Sequence, residues 1–335
     1  MTERILLDHG SGGMASQRLI KDIFLQHLDD PALRSLDDGA CIELQGRRLV
    51  MSTDTFTVDP PVFPGGDIGS LAVHGTVNDV SMLGAGPRYL SCAYLLEEGL
   101  ELDFLERVVA SMADAARRAG VSIVTGDTKV VPRGAADRIY INTTGVGSLL
   151  LPEPLSGGGA GEGDAVLVSG SVGEHGLAIM AAREGLSFET PVQSDSAPLN
   201  RLVEKLLGEV PSVRVLRDPT RGGLATALNE IAAHSGVEMR IEEEAVPVQP
   251  AVREACSFLG LDPLYLANEG KLVAVVPQAD AERALKVLQA DESGRKASRI
   301  GSAVRGRAGR VVQRTAIGGD RLLRMLEGEP LPRIC

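Results

Sequence analysis

The chain has 335 residues, of which 44% are hydrophobic, and a formal net charge of −11. This length predicts about two domains, and the acidic balance disfavours nucleic acid as a partner, because phosphates attract basic surfaces. The four cysteines are scattered without a C-x-x-C pair, so we expect a reduced, cytoplasmic setting. We expect neither a signal peptide nor a membrane span, since no apolar run approaches about 18 residues.

Near the start, a glycine-rich loop precedes a stretch with helical spacing of apolar residues. The loop consists of His9, Gly10, Ser11, Gly12 and Gly13. Such a loop offers free backbone N–H groups to a phosphate. It lacks the Gly-Lys-Ser/Thr ending of a P-loop, and a flexible turn without a ligand is the alternative.

Aspartates stand in five turns next to expected strand or helix ends. The turns contain Asp37 and Asp38, Asp54, Asp79, Asp127, and Asp218. Mg²⁺ is usually bound through carboxylates, waters and substrate phosphates, so these turns and the glycine loop together predict a site for a nucleoside triphosphate with metal. For any single aspartate, ordinary turn chemistry is the alternative.

The expected elements of the first half follow the order β-β-α-β-α-β-β, with a short buried strand at Val121–Val124 near its end. An apolar helix in this half carries His74, Asn78 and Asp79, which need polar partners in the core or on a ligand. Proline and glycine between residues 152 and 161 mark a boundary. The second half alternates strands and helices and closes with an expected hairpin of Ile300–Val304 and Arg310–Arg314. We therefore predict an α/β (α+β) fold with domains at 1–151 and 152–322.

Residues 323–335 are expected to form a mobile tail. Its prolines favour an extended backbone and prevent a helix. The last residue, Cys335, places a thiol on this arm, which would let the thiol reach a distant site. The alternative is a surface cysteine on a frayed terminus.

Three stretches, His9–Gly13, Val73–Gly84 and the final Pro-Arg-Ile-Cys, resemble the ATP-binding superfamily of aminoimidazole ribonucleotide synthetase, selenophosphate synthetase and thiamine-monophosphate kinase. Within it, the chain is most similar to the HypE hydrogenase maturation factors, from about His9 to Cys335. The resemblance implies two α/β domains with ATP and Mg²⁺ at their junction. It also implies a homodimer in which the N-terminal sheets pair into a barrel.

The resemblance also implies roles for individual residues. Metal ligands would be Asp38, Asp54, Asp79, Asp127 and Asp218, with Asp37 as a substitute for Asp38. The nucleotide would be bound by the His9–Gly13 loop as a lid, Asn78, Asp127 and Arg221. The reaction would use Cys335, the candidate bases Lys129 and Glu269, and His74 as an orienting group. Surface ion pairs for Lys129 and Glu269, and a core role for His74, are the alternatives.

The activity implied is the ATP-dependent dehydration of a carbamoyl group on the Cys335 thiol to a thiocyanate. A carbamoyltransferase, HypF, would load the thiol, and a HypC–HypD complex would receive the cyanide for a [NiFe]-hydrogenase iron. Two alternatives stay open. One is a kinase or synthetase like selenophosphate synthetase, although that enzyme carries its reactive Cys or selenocysteine near the glycine loop, where this chain has none. The other is a non-catalytic scaffold switched by ATP.

Overall fold

The computed structural model describes residues 4–10, 13–28, 30–186, 191–326, 328 and 331–335. The chain begins with short helical pieces: a 3₁₀ turn at Leu7–Gly10, α1 at Met14–Leu19, a π-helical stretch at Ile20–Phe24, α2 at Leu25–His27 and α3 at Pro31–Arg34. Helix α3 starts where Asp30 accepts a hydrogen bond from the Ala32 N–H, with proline in the first turn, a common N-terminal arrangement.

The first sheet is packed against two helices. This part of the chain contains β1 (Ala40–Leu44), β2 (Arg47–Phe56), β3 (Val62–Phe63), β4 (Gly66–Asp67), α4 (Ile68–Met82), β5 (Ala85–Glu97), α5 (Leu102–Ala119), β6 (Ser122–Val131) and β7 (Ile139–Leu149). The strand order is β1-β2-β7-β5-β6, with β3 and β4 pairing separately. Apart from those two-residue strands, the element order expected from the sequence is confirmed.

Helix α4 is buried along almost its whole length. It begins at a capping box in which the Asp67 carboxylate accepts from the Ser70 N–H at 2.9 Å, so its first orphan donors are satisfied. Helix α5 is amphipathic and ends at Gly120, whose φ of +73° is left-handed, a conformation that favours glycine. Helix α4 therefore forms the centre of the first domain, and its His74 and Asn78 side chains bond residues of the second half of the chain.

The second sheet has seven strands with helices on both faces. Its elements are β8 (Ala165–Val168), α6 (Glu174–Glu184), α7 (Asn200–Glu209), β9 (Val215–Arg217), α8 (Gly223–Ser235), β10 (Glu238–Glu242), α9 (Pro250–Leu259), β11 (Val273–Val276), α10 (Ala281–Gln289), β12 (Ser298–Val304), β13 (Arg310–Arg314) and β14 (Asp320–Leu323). Short 3₁₀ turns lie at Glu243–Ala245, Pro263–Tyr265, Gln278–Asp280 and Glu292–Gly294. The strand order is β14-β13-β10-β12-β8-β11-β9. The α/β class is confirmed.

The expected hairpin of β12 and β13 is wrong. Strand β10 lies between them, antiparallel to β12 and parallel to β13. The short link from β12 to β13 crosses the start of β10, where the Arg307 N–H donates to Glu238 Oε2 at 3.2 Å. The true hairpin is β13–β14. Local turn signals identify a reversal of the chain but not the strand inserted between the two partners.

The short buried strand expected at Val121–Val124 is also wrong in length and setting. Strand β6 has ten residues, pairs with β5 alone among the strands of the described residues, and is exposed along nearly its whole length. Val124 and Val130 are 60% and 65% exposed. An exposed apolar edge strand of this kind is a template for pairing with another chain. Among the residues that the structure describes, no helix combines the length and apolar character needed to cross a membrane.

Candidate active site

A cavity of about 420 Å³ lies where the two sheets' domains and the N-terminal helices meet. Its wall collects the predicted Asp38, Asp54, Asp79 and Asp218, together with Arg221, Glu269 and Cys335. These residues are spread over almost 300 positions of the sequence. The fold therefore brings four of the predicted aspartates together, and the last residue of the chain lies at the same place. Asp54 and Asp79 were expected in turns, but Asp54 lies within β2 and Asp79 within α4.

Three carboxylates form the centre of the cavity. Asp38 precedes β1, Asp79 lies on α4 and Asp218 follows β9, and each offers an oxygen within 4.8 Å of the others. Ser52 Oγ lies 2.7 Å from the Asp38 carbonyl oxygen and 3.0 Å from Asp79 Oδ2. Strand β2 thus ties two of the three acidic residues together.

The pKa values of these carboxyls are raised because the groups are buried close to one another. Burial raises the pKa of Asp218 to about 6 and that of Asp38 to about 8. The pKa of Asp79 is raised well above its usual value, first by burial and then by the charge of Asp218. Asp218 Oδ2 is buried without a hydrogen-bond partner among the described residues. An unpaired oxygen in a cluster of repelling carboxylates fits a hard divalent cation such as Mg²⁺.

Two arginines balance part of this negative charge. Arg217 Nη1 lies 3.1 Å from Asp38 Oδ1, and its Nη2 lies 2.7 Å from Glu230 Oε2. Arg221 faces Cys335 and Asp54, whose negative charges raise the pKa of its guanidinium. The sequence patterns do not single out Arg217 or Glu230. The only signal for Arg217 is its position directly before Asp218.

The tail is docked in the cavity, and Cys335 is 7% exposed. The Thr57 N–H donates to the Cys335 carbonyl oxygen at 2.9 Å, and the Asp59 N–H donates to the Arg333 carbonyl oxygen at 3.1 Å. Arg333 Nε in turn donates to the Thr57 carbonyl oxygen at 2.8 Å. The last residues thus pair with the segment that follows β2. Of the expected tail, Glu327, Glu329 and Pro330 lie outside the described residues.

The far end of the Arg333 side chain is also engaged. Its Nη1 lies 2.6 Å from Asp137 Oδ2, and its guanidinium carbon stands 5.7 Å from the centre of the Tyr140 ring. Arg183 donates to the carbonyl oxygens of Arg333 and Asp59, at 2.8 Å each through Nη2. Two arginines therefore hold the tail against the first sheet.

Glu269 meets the requirements of a candidate base. It lines the cavity, is 2% exposed, and its Oε1 has no partner among the described residues. Burial and then the nearby charge of Asp218 raise its pKa well above the usual value. A carboxyl held in this way exchanges protons closer to neutral pH than an exposed glutamate does.

Two polar residues of α4 do not reach the cavity. Asn78 Nδ2 donates to the carbonyl oxygens of Ala197 and Glu269, and its Oδ1 accepts from the Leu199 N–H. The amide is thereby used to fasten α4 to the second domain. His74 bonds Ser196 Oγ through Nδ1 at 2.9 Å, and burial lowers its pKa to about 3. Neither residue is among those that line the cavity, and His74 Nε2 is buried without a hydrogen-bond partner among the described residues.

Asp127 and Lys129 also lie elsewhere within the single chain. They form an exposed ion pair of 2.8 Å on the edge strand β6. Strands β7 and β5 separate β6 from β2, which carries Asp54. Three strand spacings amount to about 14 Å. The two residues therefore cannot join the same chain's carboxylate cluster.

The glycine loop is described only in part, since Ser11 and Gly12 lie outside the described residues. His9 is half-buried, and its carbonyl oxygen accepts from Ser16 Oγ at 2.8 Å. Gly10 has open space around it. A Cβ on Gly13 would lie 2.3 Å from the Leu326 carbonyl oxygen, which accepts from the Met14 N–H. The loop thus ends against the root of the tail.

Asp37 is the alternative to Asp38 as a metal ligand. Its Oδ1 accepts from the Gly157 N–H at 2.7 Å and lies 3.2 Å from Ser156 Oγ. Asp37 lines the cavity too, but its carboxylate is committed to the boundary between the domains. Asp38 is the residue whose carboxylate joins the cluster.

Comparisons with known proteins agree with this arrangement. Residues 36–149 match the family model for the AIR synthase related protein, N-terminal domain, and residues 161–314 match the C-terminal domain. Carbamoyl dehydratase HypE of Cupriavidus necator is 54% identical over 333 residues, covering 99% of this chain and 95% of that protein.

Solved HypE structures have the same fold. The structure of HypE in complex with ATP has a TM-score of 0.84 and 62% identity, and covers 99% of this chain and 100% of that one. The structure of a HypE–HypF complex has a TM-score of 0.88 and 48% identity, and covers 92% and 99%. The chain therefore belongs to the HypE family of carbamoyl dehydratases, built from the two AIR synthase related domains.

Proposed function

We propose that this chain binds ATP and Mg²⁺ in the cavity and dehydrates a carbamoyl group carried on the sulfur of Cys335 to a thiocyanate. The observation that carries the proposal is the placement of Cys335 in a cavity with the Asp38–Asp79–Asp218 cluster. A reactive group on the chain's own tail makes the substrate intramolecular. Its effective concentration at the site is then high without a binding step.

The charged residues divide into two functions. Asp38, Asp79 and Asp218, with Asp54 beside them, would hold Mg²⁺, which when bound neutralises charge on the phosphate oxygens of ATP. Arg221 would pair with the transferred phosphoryl group, because its guanidinium faces the same space as Cys335 and arginine matches phosphate geometry. The loop His9–Gly13 would cover the phosphates.

The chemistry balances without an oxidant or reductant. The carboxamide oxygen attacks the γ-phosphorus of ATP, the bond to ADP breaks, and one N–H proton leaves. The carbon–oxygen bond then breaks, phosphate departs with that oxygen, and the second N–H proton leaves as the nitrile forms. Phosphate is a far better leaving group than hydroxide, which makes the elimination feasible in water. Glu269 would accept a proton, since it is buried and its Oε1 is unpaired.

The tail must also leave the cavity to be loaded and unloaded. A HypF carbamoyltransferase would load Cys335, and the existence of a HypE–HypF complex among the relatives supports this pairing. A HypC–HypD complex would take the cyanide for a [NiFe]-hydrogenase iron. The chain would work as two domains, 1–151 and 152–322, with a tail at 323–335 that carries the thiol.

A homodimer would explain the position of Asp127 and Lys129. Strands β1 and β6 are the two edges of the first sheet, and β6 exposes apolar side chains. Closure of two such sheets into a barrel would set β6 of one chain against the β1–β2 side of the other, and so near the other chain's cluster. The site would then be completed by the partner.

The decisive experiment is intact mass after incubation with the carbamoyltransferase, carbamoyl phosphate, ATP and Mg²⁺, followed by sequencing of the tail peptide. We expect a carbamoyl adduct on Cys335 that loses one water only when ATP is present. A Cys335→Ser chain should show neither change, whereas Cys41→Ser should behave as wild type. If the tail stays unmodified while ATP is hydrolysed, the proposal is wrong.

A further inference from the structure

The docked tail makes one hydrogen bond to a residue that the proposed chemistry leaves unused. His175, on α6, is completely buried, and its Nε2 lies 2.8 Å from the carbonyl oxygen of Ile334, the neighbour of Cys335. A carbonyl oxygen only accepts, so Nε2 must carry the proton and donate. The ring edge packs on Phe63 with centroids 5.6 Å apart, which restricts its rotation.

The other ring nitrogen, Nδ1, also has a hydrogen-bond partner. His175 Nδ1 lies 2.7 Å from Ser194 Oγ. Because Nε2 holds the proton, Nδ1 accepts from the serine hydroxyl. Ser194 Oγ in turn accepts from the Ser196 N–H at 3.1 Å. A buried imidazole with both nitrogens satisfied is held in one orientation, with its donor aimed at the tail.

Residues 194 and 195 contact both His175 and Glu269, the candidate base. Asp195 Oδ1 accepts from the Glu269 N–H at 3.1 Å, and Asp195 Oδ2 lies 3.0 Å from Lys271 Nζ. A Cβ on Gly270 would lie 1.9 Å from the Asp195 carbonyl oxygen, so the two backbones touch. Lys271 Nζ also lies 3.7 Å from Glu174, the residue before His175. The segment that carries Glu269 is therefore linked directly to the start of α6.

We propose that His175 is a positioning residue that holds the Cys335 thiol in the cavity through the Ile334 carbonyl, in register with Glu269. This inference rests on the proposed function, because the thiol is the group that the reaction needs at that place. Main-chain recognition of Ile334 would keep the tail docked whatever group the sulfur carries. The loaded and unloaded forms could therefore use the same contact.

The test measures how fast iodoacetamide alkylates Cys335 in the purified, unloaded chain, read on the tail peptide by mass spectrometry. We expect His175→Ala to speed this alkylation about tenfold, which corresponds to about 1.4 kcal/mol of docking free energy. His175→Gln, whose amide can donate to Ile334, should stay near the wild-type rate. Ser194→Ala, which removes the partner of Nδ1, should lie between. His27→Ala, on an exposed helix, is the matched control and should change nothing.

Cys256 provides an internal control, since it is buried in the second domain. General unfolding would expose both thiols, whereas release of the tail frees Cys335 and removes only Leu331 from the apolar cluster that encloses Cys256. The proposal is overturned if His175→Ala speeds alkylation of Cys335 less than about threefold, or if Cys256 accelerates to the same extent. A loss of folding in His175→Ala would leave the decision to Ser194→Ala, which must then release Cys335 alone.

The alkylation uses neither ATP nor a carbamoyl group, so it separates this proposal from the proposed function. If the wild-type chain never dehydrates a carbamoyl group but the alkylation pattern holds, the chemistry is wrong and the role of His175 stands. In the loaded chain, His175→Ala should lower the dehydration kcat and leave the KM for ATP unchanged, because His175 is not among the residues that line the cavity. An altered KM with unchanged kcat would contradict a role in positioning the thiol.

Discussion

Arg217 reaches from the second sheet to Asp38 of the first domain across 3.1 Å, and its other terminal nitrogen lies 2.7 Å from Glu230. All three side chains are largely buried. The arginine therefore joins the two halves of the molecule at the point where the carboxylate cluster begins.

Substitution of Arg217 by methionine should destabilise the protein strongly. The change leaves the buried carboxylate of Glu230 without its counter-charge, and breaking a buried pair from one side costs about 3–5 kcal/mol. Thermal and urea unfolding would measure it. Arg283→Met is the control, because its ion pair with Glu209 is exposed and should contribute less than about 1 kcal/mol. If the two variants lose the same free energy of unfolding, the ion pairs of Arg217 contribute no more to stability than an exposed pair does.

Asp218→Asn should abolish stabilisation by Mg²⁺. In wild type we expect the melting temperature to rise with Mg²⁺ and to fall back in a chelator, because the cation relieves repulsion within the cluster. The amide should raise the melting temperature in the chelator, since one buried charge is gone, and remove the response to Mg²⁺. Asp22→Asn, on an exposed helical turn, should keep the full response. A Mg²⁺ shift that survives in Asp218→Asn would place the metal elsewhere.

Glu269→Gln should change both the pH profile of the reaction and the stability. The folded-state pKa of Glu269 lies well above its usual 4.5, so its ionised form is disfavoured by folding. Stability is full below the unfolded-state pKa and declines as pH rises through the raised pKa. Glu269→Gln should therefore stabilise the chain increasingly as pH rises, and remove that part of the slope.

The reaction should have the opposite dependence on pH. A base works when it is deprotonated, so the wild-type dehydration rate should rise as pH passes the raised pKa of Glu269. The glutamine variant should be slow at every pH, by about 100-fold or more. Single-turnover measurements on the loaded chain over a pH series would show this. A wild-type rate that falls with pH would assign the proton transfer to another group.

Chains carrying Asp127→Ala and Asp218→Asn should complement each other. In a mixed dimer, one site lacks both aspartates and the other has both, if Asp127 acts across the interface. Each variant alone should be inactive, and co-refolded mixtures should regain part of the wild-type rate. Asp127→Ala should leave the melting temperature almost unchanged, because the side chain is exposed. Mixtures without any recovery would show that Asp127 is not supplied by a partner.

The local pattern of the sequence was sufficient to identify most of the elements and most of the cavity. The apolar helix α4, the breaker-rich boundary near residue 155, and the aspartates before β1 and after β9 all follow from periodicity and turn chemistry, which act between near neighbours. The convergence of Asp38, Asp54, Asp79 and Asp218 was expected from the resemblance to the ATP-binding superfamily and from the preference of Mg²⁺ for carboxylate ligands, because turn chemistry alone does not distinguish these four residues from Asp127.

Tertiary structure alone decided which polar side chains face the cavity and which strands are neighbours. Asn78 and Asp79 are adjacent on one helix, yet successive residues point about 100° apart, so Asp79 enters the cluster while Asn78 binds the second domain. The insertion of β10 between β12 and β13 depends on pairing between residues distant in sequence. The edge position of β6 separates Asp127 from the other aspartates for the same reason. Spacing along a chain specifies the phase of a side chain within its own element, but the partner of that element is chosen by packing across the whole molecule.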